Sequence, residues 1–202
     1  MSRLRLAILD LYNGIPNQGM RCIRELVGRF ADRVDYEVFD VRVDGATPGM
    51  DFDIYISSGG PGDPREVDGK WYKAWTDWLD AVMAHNAEND RKKYVFFICH
   101  SFQMAVHHFE LAEVTARKSI SFGTFPVHLT EEGLQDPIFR GLDNPFIAAD
   151  FRHYRREKWI QLMEDLSNPE AIRRTHDAII PGFLERATSA LLEEASELEA
   201  RS

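Results

Sequence analysis

The sequence predicts a single α/β domain built on an open, mostly parallel β-sheet with helices on both faces. Short apolar runs at 4–11, 52–57 and 94–98 alternate with longer stretches in which apolar residues recur every three or four positions. The first run is mostly apolar, as a strand covered on both faces is. Strand–helix–strand repeats of this kind join through right-handed crossovers into a parallel sheet. At 202 residues, with 44% hydrophobic and 28% charged side chains, the chain suits one well-packed domain and argues against disorder. Residues 1–154 are expected to form that domain, with 155–202 a helical segment packed on it.

The elements follow in order. The first strand, Leu4 to Leu11, is broken by Asn13-Gly14-Ile15-Pro16-Asn17, after which Met20, Ile23, Leu26, Val27 and Phe30 mark a helix. Val34 to Val43 reads as a second strand and Gly45 to Gly49 as a turn. A third strand, Phe52 to Ser57, ends in Gly59-Gly60-Pro61-Gly62-Asp63-Pro64. A helix from Glu66 to Ala87 carries Trp71, Trp75, Trp78, Leu79 and Val82 on one stripe, expected to be core. Tyr94 to Ile98 is the fourth strand and Ser101 to Leu111 the next helix. Beyond Leu111 the pattern changes: 120–129 and 145–151 read as shorter strands, and the chain is helical and charged from Arg155. Asn168-Pro169-Glu170 is a helix start with Asn as cap, Pro181-Gly182 is expected to kink or break that helix, and the tail 191–202 to fray.

Charge and cysteine usage exclude several classes. A net charge of −9 repels phosphate backbones and anionic lipid, so neither nucleic acid nor membrane is an expected partner. The clusters Arg91-Lys92-Lys93 and Arg155-Arg156 are short, flanked by acidic residues, and read as solvated surface. The two cysteines, Cys22 and Cys99, fall in unrelated contexts, which suits a reducing compartment. With no signal-peptide h-region and no apolar run near the roughly 20 residues of a membrane span, a cytoplasmic protein is expected. His107-His108, with His100, lacks the spacing of zinc ligands, so no metal or other cofactor is expected. Asp10 and Asn13 either line the pocket or cap the first turn, and Glu110 and Glu113 are expected in solvent.

Two loops carry the chemistry. Gly59-Gly60-Pro61-Gly62 and Ile98-Cys99-His100-Ser101-Phe102-Gln103 both follow strands at the carboxyl edge, where open α/β sheets bind ligands. A cysteine where a strand passes directly into a helix is lifted out of the sheet by the sharp turn. The helix N-terminus behind it favours thiolate. A glycine loop alongside can bring backbone N–H groups close to a substrate, and together these stabilise an acyl-transfer oxyanion.

Ser58-Gly59-Gly60-Pro61-Gly62-Asp63-Pro64, followed by Cys99-His100-Ser101-Phe102-Gln103, resembles the paired signature of class I glutamine amidotransferase domains, the GMP synthase amidotransferase domain being the nearest comparison. The resemblance covers roughly residues 4–150 in element order and implies a flavodoxin-like sheet. It also implies hydrolysis of the glutamine side-chain amide through a cysteine thioester, giving glutamate and ammonia. By position it makes Cys99 the nucleophile and the N–H groups of Gly60 and His100 the oxyanion hole. Gln103 and Gly59 then hold the substrate glutamine, with Phe122 and Gly123 near its amino-acid end. The ammonia acceptor would be activated by a separate synthetase or acceptor protein.

The chain departs from that pattern. The family has glycine two residues before and two after the cysteine, where this chain has Phe97 and Ser101. It also completes its triad with a His-x-Glu pair. Here His153 is followed two residues on by Arg155, and His176 precedes Asp177-Ala178 within an expected helix, so neither fits as base. The direct passage from Asp150 to Trp159 implies that several dozen residues of the family pattern are missing there. Without a base a triad enzyme loses orders of magnitude in rate. The alternatives are therefore a catalytically silent amidotransferase-like binding module, or another cysteine chemistry on the same sheet.

Overall fold

The computed structural model describes residues 3–115, 121–152 and 169–201. Ile120, His153, the Arg155-Arg156 pair and Asn168 lie outside the described residues. The chain forms two compact units: Met1–Val114 with Ala187–Ser202, and Thr115–Arg186. The first break, after Val114, falls close to Leu111, where the strand–helix alternation stops in the sequence.

In the first unit the order is β1 (Leu4–Asp10), α1 (Gln18–Gly28), β2 (Val34–Asp40), β3 (Ile54–Ser57), α2 (Lys70–Glu88), β4 (Tyr94–Phe97) and α3 (His100–His108). The four strands lie in the order β2-β1-β3-β4, all parallel, with Leu6 opposite Ile54 and Ile54 opposite Tyr94. This is an α/β sheet of the flavodoxin-like type, flanked by helices. The β1-to-β2 and β3-to-β4 connections run in opposite directions across it, so right-handed crossovers place α1 and α2 on opposite faces.

Both faces of the sheet are covered. Ala7, Leu9, Leu11 and Tyr55 pack with Tyr72, Trp75, Trp78, Leu79 and Val82 of α2 and with Met104 and Ala105 of α3. On the other parity Leu6, Ile8, Ile54 and Ile56 are completely buried. Trp75, Trp78, Leu79 and Val82 of the α2 stripe are core as expected, with Trp71 half-buried at its edge; Trp78 meets Tyr55 edge-on at 5.3 Å, and Trp75 meets Phe97 at 6.1 Å. Trp75 also donates from Nε1 to Ser57 Oγ at 3.1 Å, tying the helix to the end of β3. α1 buries Met20, Ile23, Leu26 and Val27 and is capped by Asn17, whose Oδ1 accepts from the Met20 N–H at 2.8 Å.

Three boundaries differ from the sequence pattern for local reasons. β2 ends at Asp40 because Asp40 Oδ1 accepts from the Val43 N–H at 3.0 Å and folds 41–44 into a turn. α2 starts at Lys70, after Gly69 at φ 120°, a conformation closed to most side chains. α3 ends at His108, with Glu110 at φ 53° just beyond.

The second unit holds an antiparallel pair, β5 (Ser121–Val127) and β6 (Phe146–Arg152), with Val127 opposite Phe146. α4 (Glu131–Gln135) is capped by Thr130, and a single 3-10 turn, Pro137–Phe139, by Asp136. α5 runs from Pro169 to Arg201 and contributes residues to both units. The expected break at Pro181-Gly182 does not occur. Proline removes one helical hydrogen bond, and burial of Phe183 and Leu184 in the next turn holds the helix past it. Gly182 lies against Ile138: a Cβ there would stand 2.7 Å from the Ile138 carbonyl oxygen. Thr175 Oγ1 donates to Ile147 O at 2.6 Å, and Arg186 pairs with Asp136 at 3.1 Å. The tail expected to fray is helical to Arg201, with Leu191 buried. Among the described residues no helix is long and apolar enough to cross a membrane.

Trp75→Ala removes the largest fully buried side chain at the centre of the α2 stripe. It is expected to destabilise the protein by about 3–5 kcal/mol, read as a lower urea midpoint with little change in slope.

Candidate active site

The carboxyl ends of β1, β3 and β4 meet at one edge of the first unit. Ser58 N–H donates to Leu9 O at 3.0 Å, and Ile98 N–H donates to Ser57 O at 2.9 Å, so the loops after these strands start side by side. The buried Ser58 stitches two of them together: its Oγ accepts from the Leu11 N–H at 2.9 Å and donates to Gly59 O at 2.8 Å.

Cys99 follows β4 almost directly and occupies the position before the first turn of α3 with φ 52° and ψ −99°. A non-glycine residue in such a sparsely populated conformation costs on the order of 1–3 kcal/mol and persists only where its surroundings hold it. The hold comes from Ser101, which is completely buried. Its Oγ lies 2.8 Å from Ser57 O, to which it donates, and 3.0 Å from the Ile98 N–H, which donates to it. The Gln103 N–H donates to Cys99 O at 3.1 Å and closes the first helical turn. The serine standing where the resembled family has glycine is thus more than small: its hydroxyl joins the ends of β3 and β4 beneath the turn. Phe97, the other departure, is half-buried against the aromatic stripe of α2.

The Cys99 side chain is exposed. Gly59 lies beside it, since a Cβ on Gly59 would stand 3.7 Å from Cys99 Cβ and 3.1 Å from the Tyr12 hydroxyl. Gly60 is pressed on the β1 loop, where an added Cβ would come within 2.5 Å of Leu11 O. Glycine at 60 is therefore a requirement of close backbone approach. Gln103 is half-buried one turn into α3.

His100 is buried, and its Nε2 lies 2.9 Å from Arg42 Nη2. Guanidinium has only donors, so Nε2 accepts and the ring proton sits on Nδ1. Burial is the main cause that pushes the His100 pKa down to about 4; repulsion by Arg42 adds to it and the Asp63 carboxylate opposes it. The imidazole is accordingly neutral at physiological pH. Asp63 is held well below the ordinary carboxylate range by hydrogen bonds from the Arg65 side chain and N–H. Arg42 in turn lies over the Trp71 ring, 4.2 Å from its centroid.

Of the residues expected at the site, Cys99, His100, Gly59, Gly60 and Gln103 belong to the first unit, at this edge. Phe122 and Gly123 are in β5 of the second unit, Gly123 at φ 146°. His176 is in the second-unit part of α5, with Nδ1 3.2 Å from Asp177 Oδ1, and His153 is among the undescribed residues. Asp10 caps the first turn, accepting from the Tyr12 N–H at 2.8 Å, and burial raises its pKa. His108 pairs with Asp80 at 2.7 Å. Among the described residues no three His, Cys, Asp or Glu side chains are grouped to hold a metal. Sequence reasoning named Ser58 and Ser101 without a role for their hydroxyls and passed over Arg42. Arg42 was hidden inside an expected strand, and the one signal for it was its place at that strand's carboxyl end.

Gly60→Ala is expected to destabilise the protein by about 1–3 kcal/mol through forced displacement of the Leu11 backbone, measurable by urea denaturation. His100 gives a pH signature. Its folded pKa of about 4 lies below the ordinary 6.5, so the unfolded chain binds the extra proton first on acidification. Stability present above about pH 6.5 is therefore lost progressively towards about pH 4. In thermal melts across that window His100→Gln is expected to lose less than the unmodified protein.

No family model matches the chain, and no curated protein does. Among solved structures, the crystal structure of SMU.1228c is similar, with a TM-score of 0.55 and 20% sequence identity over 74% of this chain and 61% of that one. At that identity the likeness shows the fold alone, an α/β flavodoxin-like sheet.

Proposed function

We propose that this chain is a class I glutamine amidotransferase-like protein that hydrolyses the glutamine side-chain amide through Cys99. One observation carries the proposal: an exposed cysteine at φ 52° heads α3 and lies against Gly59 of the glycine turn. In this reading the Cys99 sulfur attacks the amide carbon of glutamine and the carbonyl oxygen becomes an oxyanion. Backbone N–H groups at Gly60 and His100 receive that charge, where donors fixed in advance act most strongly. The intermediate collapses to a γ-glutamyl thioester as the C–N bond breaks, and the nitrogen leaves as ammonia with the proton given up by the thiol. Water then adds to the thioester, releasing glutamate and returning the thiol. Gln103 and Gly59 hold the substrate. Exposed apolar side chains of the same unit, Ile15, Val43 and Val67 in loops and Phe102 in the first turn of α3, favour a separate acceptor protein as partner.

A second reading, a silent binding module, draws on His100. That histidine is next to Cys99 in the chain, yet its accepting nitrogen is taken by Arg42, so it offers the thiol no base. Glutamate release from glutamine separates the two. Turnover in the unmodified protein and its loss in Cys99→Ala are the expected outcome, the mutant falling at least about a thousandfold. Labelling of Cys99 by a chloroketone analogue of glutamine without any turnover would establish the silent module.

A further inference from the structure

Arg42 has no place in the chemistry above, yet its surroundings are built. It stands in the turn after β2, half-buried, with its guanidinium 4.2 Å above the centre of the Trp71 ring. Trp71 is itself packed against the core cluster of α2. One guanidinium nitrogen, Nη2, reaches the buried His100 ring at 2.9 Å. Its Nε is buried with no hydrogen-bond partner, so the side chain is held here in spite of an unmet donor. A Cβ on Gly62 would stand 3.8 Å from Arg42 Nη1 and 4.0 Å from Glu66 Oε2, which brings the same guanidinium beside the glycine turn.

We propose that Arg42 is a positioning residue for the oxyanion donor: clamped on Trp71, it fixes the His100 ring and, through it, the His100 N–H beside Cys99. This rests on the glutaminase reading. The N–H groups in the first turn of a helix have no partner within the helix, so their direction is set by what anchors that turn. At α3 the anchors are Ser101 beneath and the His100 side chain to one side. The chain of contacts runs from the α2 core through Trp71 and Arg42 to His100. Arginine suits the task because its planar group can stack on an indole and donate in its own plane at once, which an ammonium cannot do. A displaced donor weakens catalysis steeply, by as much as about a hundredfold for a misplacement near 1 Å.

The test compares Arg42→Met and Arg42→Lys with the unmodified protein by glutamate release and by the rate at which the chloroketone analogue labels Cys99. Arg42→Met is expected to lower kcat and the labelling rate by about ten- to a hundredfold with little change in KM, and Arg42→Lys to lie between. Combined with His100→Leu, Arg42→Met is expected to add no further loss, because both break one contact. By NMR, the His100 ring is expected to titrate higher in Arg42→Met, with burial and Asp63 as the influences that remain. Glu66 is the other charged group near the guanidinium.

An unchanged labelling rate in either Arg42 variant overturns the proposal, as does an unmoved His100 titration or a loss that multiplies with His100→Leu. Arg42→Lys carries the comparison should Arg42→Met not fold. Unmodified protein that neither turns over glutamine nor is labelled ends the glutaminase reading and the positioning role together. Normal labelling with no effect at Arg42 ends the positioning role alone.

Discussion

The backbone of Cys99 departs from every regular conformation, and the buried hydroxyl of Ser101 is what keeps it there. By bonding to Ser57 O and the Ile98 N–H, that hydroxyl ties the last residue of β3 to the residue that follows β4. The parallel register of the two strands sets both ends at the same level, with Ser57 opposite Phe97. Without that register the serine would have nothing to bridge, and a cysteine could relax into the helix that follows. The exposure of the sulfur is therefore a property of the sheet as much as of the turn.

The sheet owes its register to a core dominated by one helix. α2 presses Tyr72, Trp75, Trp78, Leu79 and Val82 on the same parity of β1 and β3 whose next residues enter the site. Trp75 reaches Ser57 through its indole N–H, and Phe97 leans on Trp75. Packing and chemistry thus share residues, and large aromatic side chains with few rotamers transmit position well.

Much of this was legible in the sequence, and the omissions have physical causes. Repeated strand–helix–strand units announced a parallel sheet, and a cysteine with no spacer between strand and helix announced the elbow. The stripe of tryptophans was legible as core because its spacing matches a helix face. Pro181 misled because proline is read as a breaker, although one missing hydrogen bond is a small part of a helix of 33 residues. Ser101 was read only as a departure from glycine, since a bridging hydroxyl depends on a neighbour 44 positions away, Ser57. Arg42 escaped for the same reason: its contact with His100 spans 58 positions. The second unit escaped because its two strands pair antiparallel, a relation that apolar runs alone do not distinguish from continuation of the first sheet.

The chain leaves the first unit at Val114 and re-enters it at Ala187. Topologically, residues 115–186 are an excursion that begins and ends in the same body. No single scission liberates either unit whole. A fragment stopped short of 187 lacks Ala187, Thr188 and Leu191, all sealed from solvent, and the edge that bears Cys99 would be left on an incomplete body. Truncation anywhere within 115–186 therefore removes part of the first unit along with part of the second.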